Sequence, residues 1–429
     1  MAGGVPPRGT RSDARAEIAA EHARGRAAVR RARGDSEGVA RGGPRSGERE
    51  GRAPRSPVDR AECGAPRALA EGPNVTDLVL AHDYLVQVGG AERVVADWVE
   101  GFGSKRVVTL AYRPETTFDA FRRVDVRASI PAGLAGQVER MLPALPAIAA
   151  RTTVAGGDVA LVSSSGWAHR FRFEIPHVVY VHSPARWLYA ADDYRMRLSA
   201  VRRAGLTVST PILRSGDREA MARAAAIVAN SEVTRERIRS AYGLESTVVH
   251  PPVQPVSDRS TPPARDLPDA FAVVVARDRG YKNVPLAVDA AREAGLAIAV
   301  VGAGSESLDD PGAGVHGLGR VSDDELCWVY RHAAVVVGAG REDFGLTVLE
   351  AALEGTPAAT VAAGGYLETV RPGVSGAHAA SATVADLAEA IRVARTADPS
   401  DVREWGLAFR RDAHVDRLSS LIDEAVRRA

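Results

Sequence analysis

Apolar and polar positions change their rhythm near residue 77. From there, short runs that are apolar along almost their whole length recur at residues 77–81, 107–111, 159–163, 177–181, 226–229 and 247–250. Between several of them the apolar positions return at helical spacing, as over 91–100 and 218–225. Strands without a polar face are buried on both sides. Strands that alternate with helices build a parallel sheet covered on both faces. His250-Pro251-Pro252-Val253 then leads into a polar, proline-rich stretch that ends at Pro268. Proline stops both helix and strand, so residues 254–268 read as a linker. After it the alternation restarts, with strands predicted at 270–276, 297–302, 335–338 and 358–361 and helices at 284–294, 323–332, 345–354 and 384–395. Residues 402–429 form a helical pattern whose apolar stripe includes Trp405, Leu407, Phe409, Leu418 and Leu421. The fold class expected is α/β. Two Rossmann-like parallel-sheet domains, 76–253 and 269–403, face each other across a cleft, and 404–429 is a helical tail. Ligands of such sheets sit at the carboxyl ends of the strands, so the cleft is the expected site.

Residues 1–75 show none of this pattern. They hold no Phe, Trp or Tyr, but 12 Gly, 7 Pro and 15 Arg against 10 acidic residues. Such a segment cannot bury enough apolar surface to offset its ordering entropy, and it reads as a disordered arm. A short Ala/Arg/Glu helix over 14–33 is marginal by itself. A basic arm for acidic lipid or nucleic acid stands against a dispensable tail, and the mixture of both charge signs favours the tail. The whole chain carries a formal charge of +1, so no nucleic-acid partner is expected. Its two cysteines exclude a disulfide framework and a cysteine-built zinc site. No apolar run is long enough to span a bilayer, and no signal-peptide core is visible, so a cytoplasmic location is expected. Among the 55 basic residues only Lys105 and Lys282 are lysine. An arginine cluster therefore carries less information than usual in this chain, and a lysine more.

Four places carry candidate chemistry. Gly340-Arg341-Glu342-Asp343-Phe344-Gly345-Leu346 follows a predicted strand and opens a helix near Gly345. The first amides of a helix are unpaired and sit at its positive end, which suits a phosphate. Gly345 lets the backbone approach closely. Glu350 lies five residues on, about 7.5 Å along the axis, which matches the step from a diphosphate to the ribose of one nucleotide. Glu342 stands before the helix, where a sugar hydroxyl would be held. An ordinary solvated glutamate and an acidic helix residue would read the same way. Arg277 and Lys282 share the turn after strand 270–276, aimed at one diphosphate or simply solvated. Gly89-Gly90 opens a helix after the first strand and allows close approach to an anion. His182 ends strand 177–181, either facing the cleft or packed within the domain. Gly302-Ala303-Gly304 looks like a dinucleotide fingerprint, but Ser307 stands where its third glycine belongs, which argues against a dehydrogenase. The chain has no Asp-x-Asp and no phosphate loop ending in Gly-Lys-Ser/Thr.

In order and spacing these residues resemble the family 4 glycosyltransferases, which have the GT-B fold. The resemblance spans roughly residues 77–425. Glu342-x7-Glu350, with Phe344-Gly345-Leu346 inside it, matches the family's paired-glutamate motif. Arg277 and Lys282 match its donor-diphosphate cations, Gly89-Gly90 its glycine-rich acceptor-side loop, and His182 the histidine near the anomeric centre. Asn230-Ser231 and Gly364-Gly365-Tyr366-Leu367-Glu368 match two further motifs. The wording His182-Ser183-Pro184-x-Arg186 and His250-Pro251-Pro252-Val253 is closest to mannosyltransferase-like members, which favours GDP-mannose as donor. Asp278-Arg279-Gly280-Tyr281 between the two cations departs from the pattern and weakens the match at Arg277 more than at Lys282. The resemblance implies transfer with retention of configuration and without a metal or cofactor. Arg277, Lys282, Phe344, Gly345, Leu346 and Glu350 would bind the donor, and His182 and Glu342 would serve at the reacting sugar. The implied acceptor is a glycan or lipid-linked molecule. Residues 195–203, basic with Met196, Leu198 and Val201 interspersed, suggest peripheral membrane contact, against the plainer reading of a solvated helix face. A non-catalytic sugar-nucleotide binder and a GT-B epimerase are the alternatives. A phosphorylase would need a second lysine in the later domain, which holds only Lys282.

Overall fold

The computed structural model describes residues 77–428 apart from 143, 190–199 and 277–281. The arm expected over 1–75, the candidate Arg277 and most of the basic stretch 195–203 lie outside the described residues. Among the described residues two large parallel sheets form within one compact unit, with a two-stranded parallel pair of Thr153–Val154 and Arg172–Phe173 beside them. The first has seven strands: β1 (Leu78–Leu85), β2 (Arg106–Tyr112), β3 (Asp125–Ala128), β4 (Val159–Ser164), β5 (His177–Val181), β6 (Ala226–Ala229) and β7 (Thr247–Val248), in the order β3-β2-β1-β4-β5-β6-β7. The second has six: β8 (Phe271–Val275), β9 (Ala297–Val301), β10 (Val315–Gly319), β11 (Val335–Gly338), β12 (Ala358–Val361) and β13 (Gly376–Ala379), in the order β10-β9-β8-β11-β12-β13. The parallel α/β architecture is the one expected. No helix among the described residues is long and apolar enough to cross a membrane.

Burial on both faces explains the unbroken apolar runs. Successive strand residues point to opposite sides of a sheet. Val79 and Ala81 of β1 enter one buried cluster, and Leu80 and Leu85 enter the other. In β8, Ala272 and Val274 go to one face and Phe271 and Val273 to the opposite one. In the two large sheets three strands carry no such run and went unpredicted: β3, β10 and β13. All three are edge strands. β3 is largely exposed, and β10 is Val-His-Gly-Leu-Gly, with only alternate residues buried.

The tail differs from a single helix. It breaks into Pro399–Leu407 and Arg411–Arg428. The first piece stays on the second sheet's domain, where Trp405 Nε1 donates to the Thr369 carbonyl at 2.9 Å. Leu407, expected on the apolar stripe, is 48% exposed. The second piece crosses back to the first sheet. Leu418, Ile422 and Ala425 join the buried cluster of Leu80, Trp98, Tyr180 and Val228. Arg411 pairs with Asp97 at 2.6 Å and Glu100 at 2.9 Å. At the crossing, the Val253 amide donates to the Phe409 carbonyl at 2.8 Å, so linker and tail run side by side between the domains.

Three histidines sit neutral in this interior. Burial is the largest cause that pushes His182 down to about 3 and His177 and His414 down to about 4. His414 must stay neutral for its bonds: Trp98 Nε1 donates to its Nε2 at 2.8 Å, while its Nδ1 donates to the His250 carbonyl at 2.7 Å. In the unfolded chain these groups titrate near 6.5. As pH falls below that value the unfolded state takes up protons that the folded state refuses. Stability is then expected to fall by up to about 1.4 kcal/mol per pH unit for each histidine, until the folded values are passed. Thermal melts should show a midpoint that is flat above pH 7 and drops steeply between about 6.5 and 4. A midpoint unchanged across that window would contradict the neutral, buried assignment.

Candidate active site

The second sheet's contribution begins at the end of β11. Residues 339–345 run from that strand to the helix α1 (Leu346–Leu353). Gly345 caps α1 with φ of +99°, a left-handed conformation that other residues adopt at a cost. A Cβ there would also come within 2.9 Å of the Tyr366 ring. The turn therefore presents the unpaired amides of α1 to the cleft. Just before it, the carboxylate of Glu342 pairs with the ammonium of Lys282. Both side chains are largely buried. Phe344 lies inside the domain, its ring stacked on His250 at 5.3 Å and against Phe409 at 5.9 Å, so it supports the turn from below. Glu350, on α1, is buried. Tyr330 donates its hydroxyl to Glu350 Oε2 at 3.2 Å, and Arg93 Nε stands 3.7 Å from Oε1.

The first sheet's contribution comes from the ends of β1, β4 and β5. Gly89 is the extended cap of helix Gly90–Gly101. A Cβ on Gly90 would sit 3.2 Å from Leu346 Cδ1. The N-termini of two helices, one from each domain, therefore meet at Gly90 and Leu346. Arg93, in the first turn of the Gly90–Gly101 helix, makes the reach across to Glu350. An anion at this junction would meet two positive helix ends.

His182 follows β5 and is 9% exposed. Its Nε2 is 2.8 Å from Ser163 Oγ, and Ser163 Oγ is 2.9 Å from His82 Nδ1. The hydroxyl has one proton, so it donates to one imidazole and accepts from the other. His82 and Ser163 thereby hold the ring of His182 in place. Below them Asp83 accepts the amides of Ser165, Trp167 and Ala168 at 2.7, 3.0 and 2.6 Å, which anchors the loop after β4.

The structure brings Gly90 and Leu346 into contact, pairs Glu342 with Lys282 at the turn that Gly345 makes, and sets Glu350 further along α1. Gly89 and His182 lie at the first sheet's strand ends. Sequence reasoning missed His82, Ser163, Arg93 and Tyr330. His82 lies inside β1 and Ser163 one residue before the end of β4, so polar residues within strands that the apolar pattern located were the available signal. Arg93 was hidden among many arginines.

Comparisons with known proteins identify the family and the fold. Residues 88–256 match the family described as Glycosyltransferase Family 4, and residues 260–403 match Glycosyl transferases group 1. D-inositol 3-phosphate glycosyltransferase of Mycolicibacterium smegmatis is 28% identical over 266 residues, covering 55% of this chain and 58% of that protein. The chain thus spans less than two thirds of the length of that curated relative. Anabaena HepE, solved in complex with UDP and glucose, superposes with a TM-score of 0.56 at 18% identity, over 81% of this chain and 100% of that one. Sucrose-phosphate synthase from Thermosynechococcus elongatus does so with 0.58 at 19% identity, over 82% and 100%. The two family matches meet in the linker and between them take in both sheets, and the chain belongs to the family 4 (group 1) glycosyltransferases of the GT-B fold.

Proposed function

We propose that the chain transfers a hexose from a nucleoside-diphosphate sugar to a hydroxyl of a glycan or lipid-linked acceptor, with retention at the anomeric carbon and without a metal. GDP-mannose is the donor that the sequence wording favours. The observation that carries the reading is the Lys282–Glu342 pair at the foot of α1, with Glu350 further along the same helix. In this reading the bond from the anomeric carbon to the diphosphate oxygen breaks while the bond to the acceptor oxygen forms. The acceptor's proton passes to the departing phosphate oxygen. Charge grows on the diphosphate, where the α1 amides and Lys282 stabilise it. Arg277 joins Lys282 as a second cation in the same proposal. Glu342 holds a sugar hydroxyl, Glu350 the ribose diol, and neutral His182 the sugar or the acceptor. Two similar proteins bear on the choice of substrates: one is a D-inositol 3-phosphate glycosyltransferase, and one structural neighbour was solved with UDP and glucose. Inositol phosphate is accordingly the first small acceptor to try beside glycans.

Calorimetric titration with GDP, UDP and ADP tests the donor site. One of the three is expected to bind below millimolar concentration, GDP first. Binding of none would overturn the donor-site reading.

A further inference from the structure

Two sequence motifs, Asn230-Ser231 and Gly364 to Glu368, have no role so far. The structure joins them across the domain boundary. Both carboxylate oxygens of Glu368 accept the backbone amide of Glu232, at 3.0 and 2.9 Å. Glu232 is the first residue of helix α2 (Glu232–Tyr242). Oε2 of the same carboxylate is bonded to His250 Nε2 at 2.9 Å. A carboxylate at a helix N-terminus is held by both the free amide and the helix dipole. On the other side of the α2 start, the Asp343 carboxylate pairs with Arg186 and Arg237. Ser231, the cap of α2, accepts the Thr234 amide at 3.1 Å and donates to the Asp343 carbonyl at 2.7 Å. Two carboxylates of the second domain thus grip one helix of the first.

The grip is tied directly to the donor turn. The Gly365 amide donates to the Glu342 carbonyl at 2.9 Å. A Cβ on Gly365 would stand 2.2 Å from Phe344 Cα, so the two backbones touch. The side chain of Glu368 is 13% exposed and that of Asp343 18%, well shielded from water. Any slip of Glu368 or Asp343 along α2 moves the backbone that carries Glu342 and Gly345.

We infer that Glu368 and Asp343 are positioning residues, which act through the backbone of 342–346 and set the donor turn in register with the first domain when the cleft is shut. The inference rests on the donor-site reading above. It predicts a split between binding and turnover. In Glu368→Ala the turn still has Lys282, the α1 amides and Glu350, so nucleotide affinity is expected to stay within about threefold, while kcat for nucleotide release from GDP-mannose falls at least about tenfold. Glu368→Gln keeps an oxygen for the Glu232 amide and is expected to recover most of the rate. Unchanged kcat in Glu368→Ala, or loss of affinity in step with kcat, would overturn the inference. Hydrogen exchange of the full-length chain without ligand supplies the second measurement. Glu368→Ala should speed exchange at 232–235 and at 342–346 together. Faster exchange at 232–235 alone would also overturn it. If Glu368→Ala does not fold, Asp343→Asn is read by the same exchange pattern. Failure of the wild type to bind any nucleotide would count against the donor site and leave the exchange result standing by itself.

Discussion

Lys282→Ala is expected to lower the rate of nucleotide release from the sugar donor by about 100- to 1,000-fold, the usual cost of removing one preorganised donor from a developing anion. The position is set by the fold. Lys282 stands just before helix Val284–Glu293, in the turn after β8, and its ammonium already meets Glu342 at the entrance of α1. Glu342 holds the ammonium at the foot of α1. In the proposed reading the diphosphate would compete for that charge and free Glu342 toward the sugar. The strongest gain then falls late, when the leaving group carries its full charge, so kcat should fall more than affinity. Lys282→Arg is not expected to restore the rate, because a planar fork replaces a compact point charge in a half-buried space. A comparison with Glu342→Gln separates this role from simple pairing. If Lys282 served only to neutralise Glu342, the two variants would cost the same and the double variant no more. Independent losses in kcat are the expected result, measured by steady-state release of nucleotide.

How far the sequence alone reaches depends on what each residue does for packing. The central strands are legible because both faces are buried, which removes the polar positions that would disguise them. The edge strands β3, β10 and β13 lack that signature, since one side of each meets no partner strand. The break at residues 408–410 is not legible either. Nothing local marks it, and the chain turns there because Phe409 packs against His250 and Phe344 while Leu418 and Ile422 find their partners on the other domain. At the site, the residues that carry spacing were readable: Gly345 and Glu350 are fixed by one helix, and Glu342 by the turn before it. The residues that act across the cleft were not. Arg93 with Glu350, Ser231 with Asp343 and Glu232 with Glu368 are separated by more than 100 positions in the chain. Such pairs follow from how two domains dock, which local pattern does not encode. His82 and Ser163 are intermediate cases. Their strands were found, but the shared hydroxyl that links them to His182 depends on β1, β4 and β5 lying side by side.

Glu350→Ala is expected to weaken nucleoside-diphosphate binding by about 10- to 150-fold, the loss of hydrogen bonds to a charged acceptor worth about 1.5–3 kcal/mol. The carboxylate lies along α1 from the phosphate-facing amides, at about the reach of a ribose diol. Its hydrogen-bond partners leave acceptor positions for that diol. Two carboxylate oxygens offer about four acceptor positions. Tyr330 uses one of them at 3.2 Å, and Arg93 at 3.7 Å contributes charge without a hydrogen bond. Burial, the largest cause, pushes the Tyr330 hydroxyl well above its ordinary range, and Glu350 beside it adds to the shift, so Tyr330 remains a donor at every pH of interest. Tyr330 therefore holds the carboxylate still and does not compete as an acceptor for the ribose protons. Tyr330→Phe should accordingly cost less affinity than Glu350→Ala. The ribose is common to GDP, UDP and ADP, which makes the prediction sharper than a simple loss. Glu350→Ala should weaken whichever nucleotides bind by the same factor, leaving their order unchanged. A loss confined to one base would move Glu350 from ribose to base recognition, and unchanged affinity for all of them would remove it from the donor site.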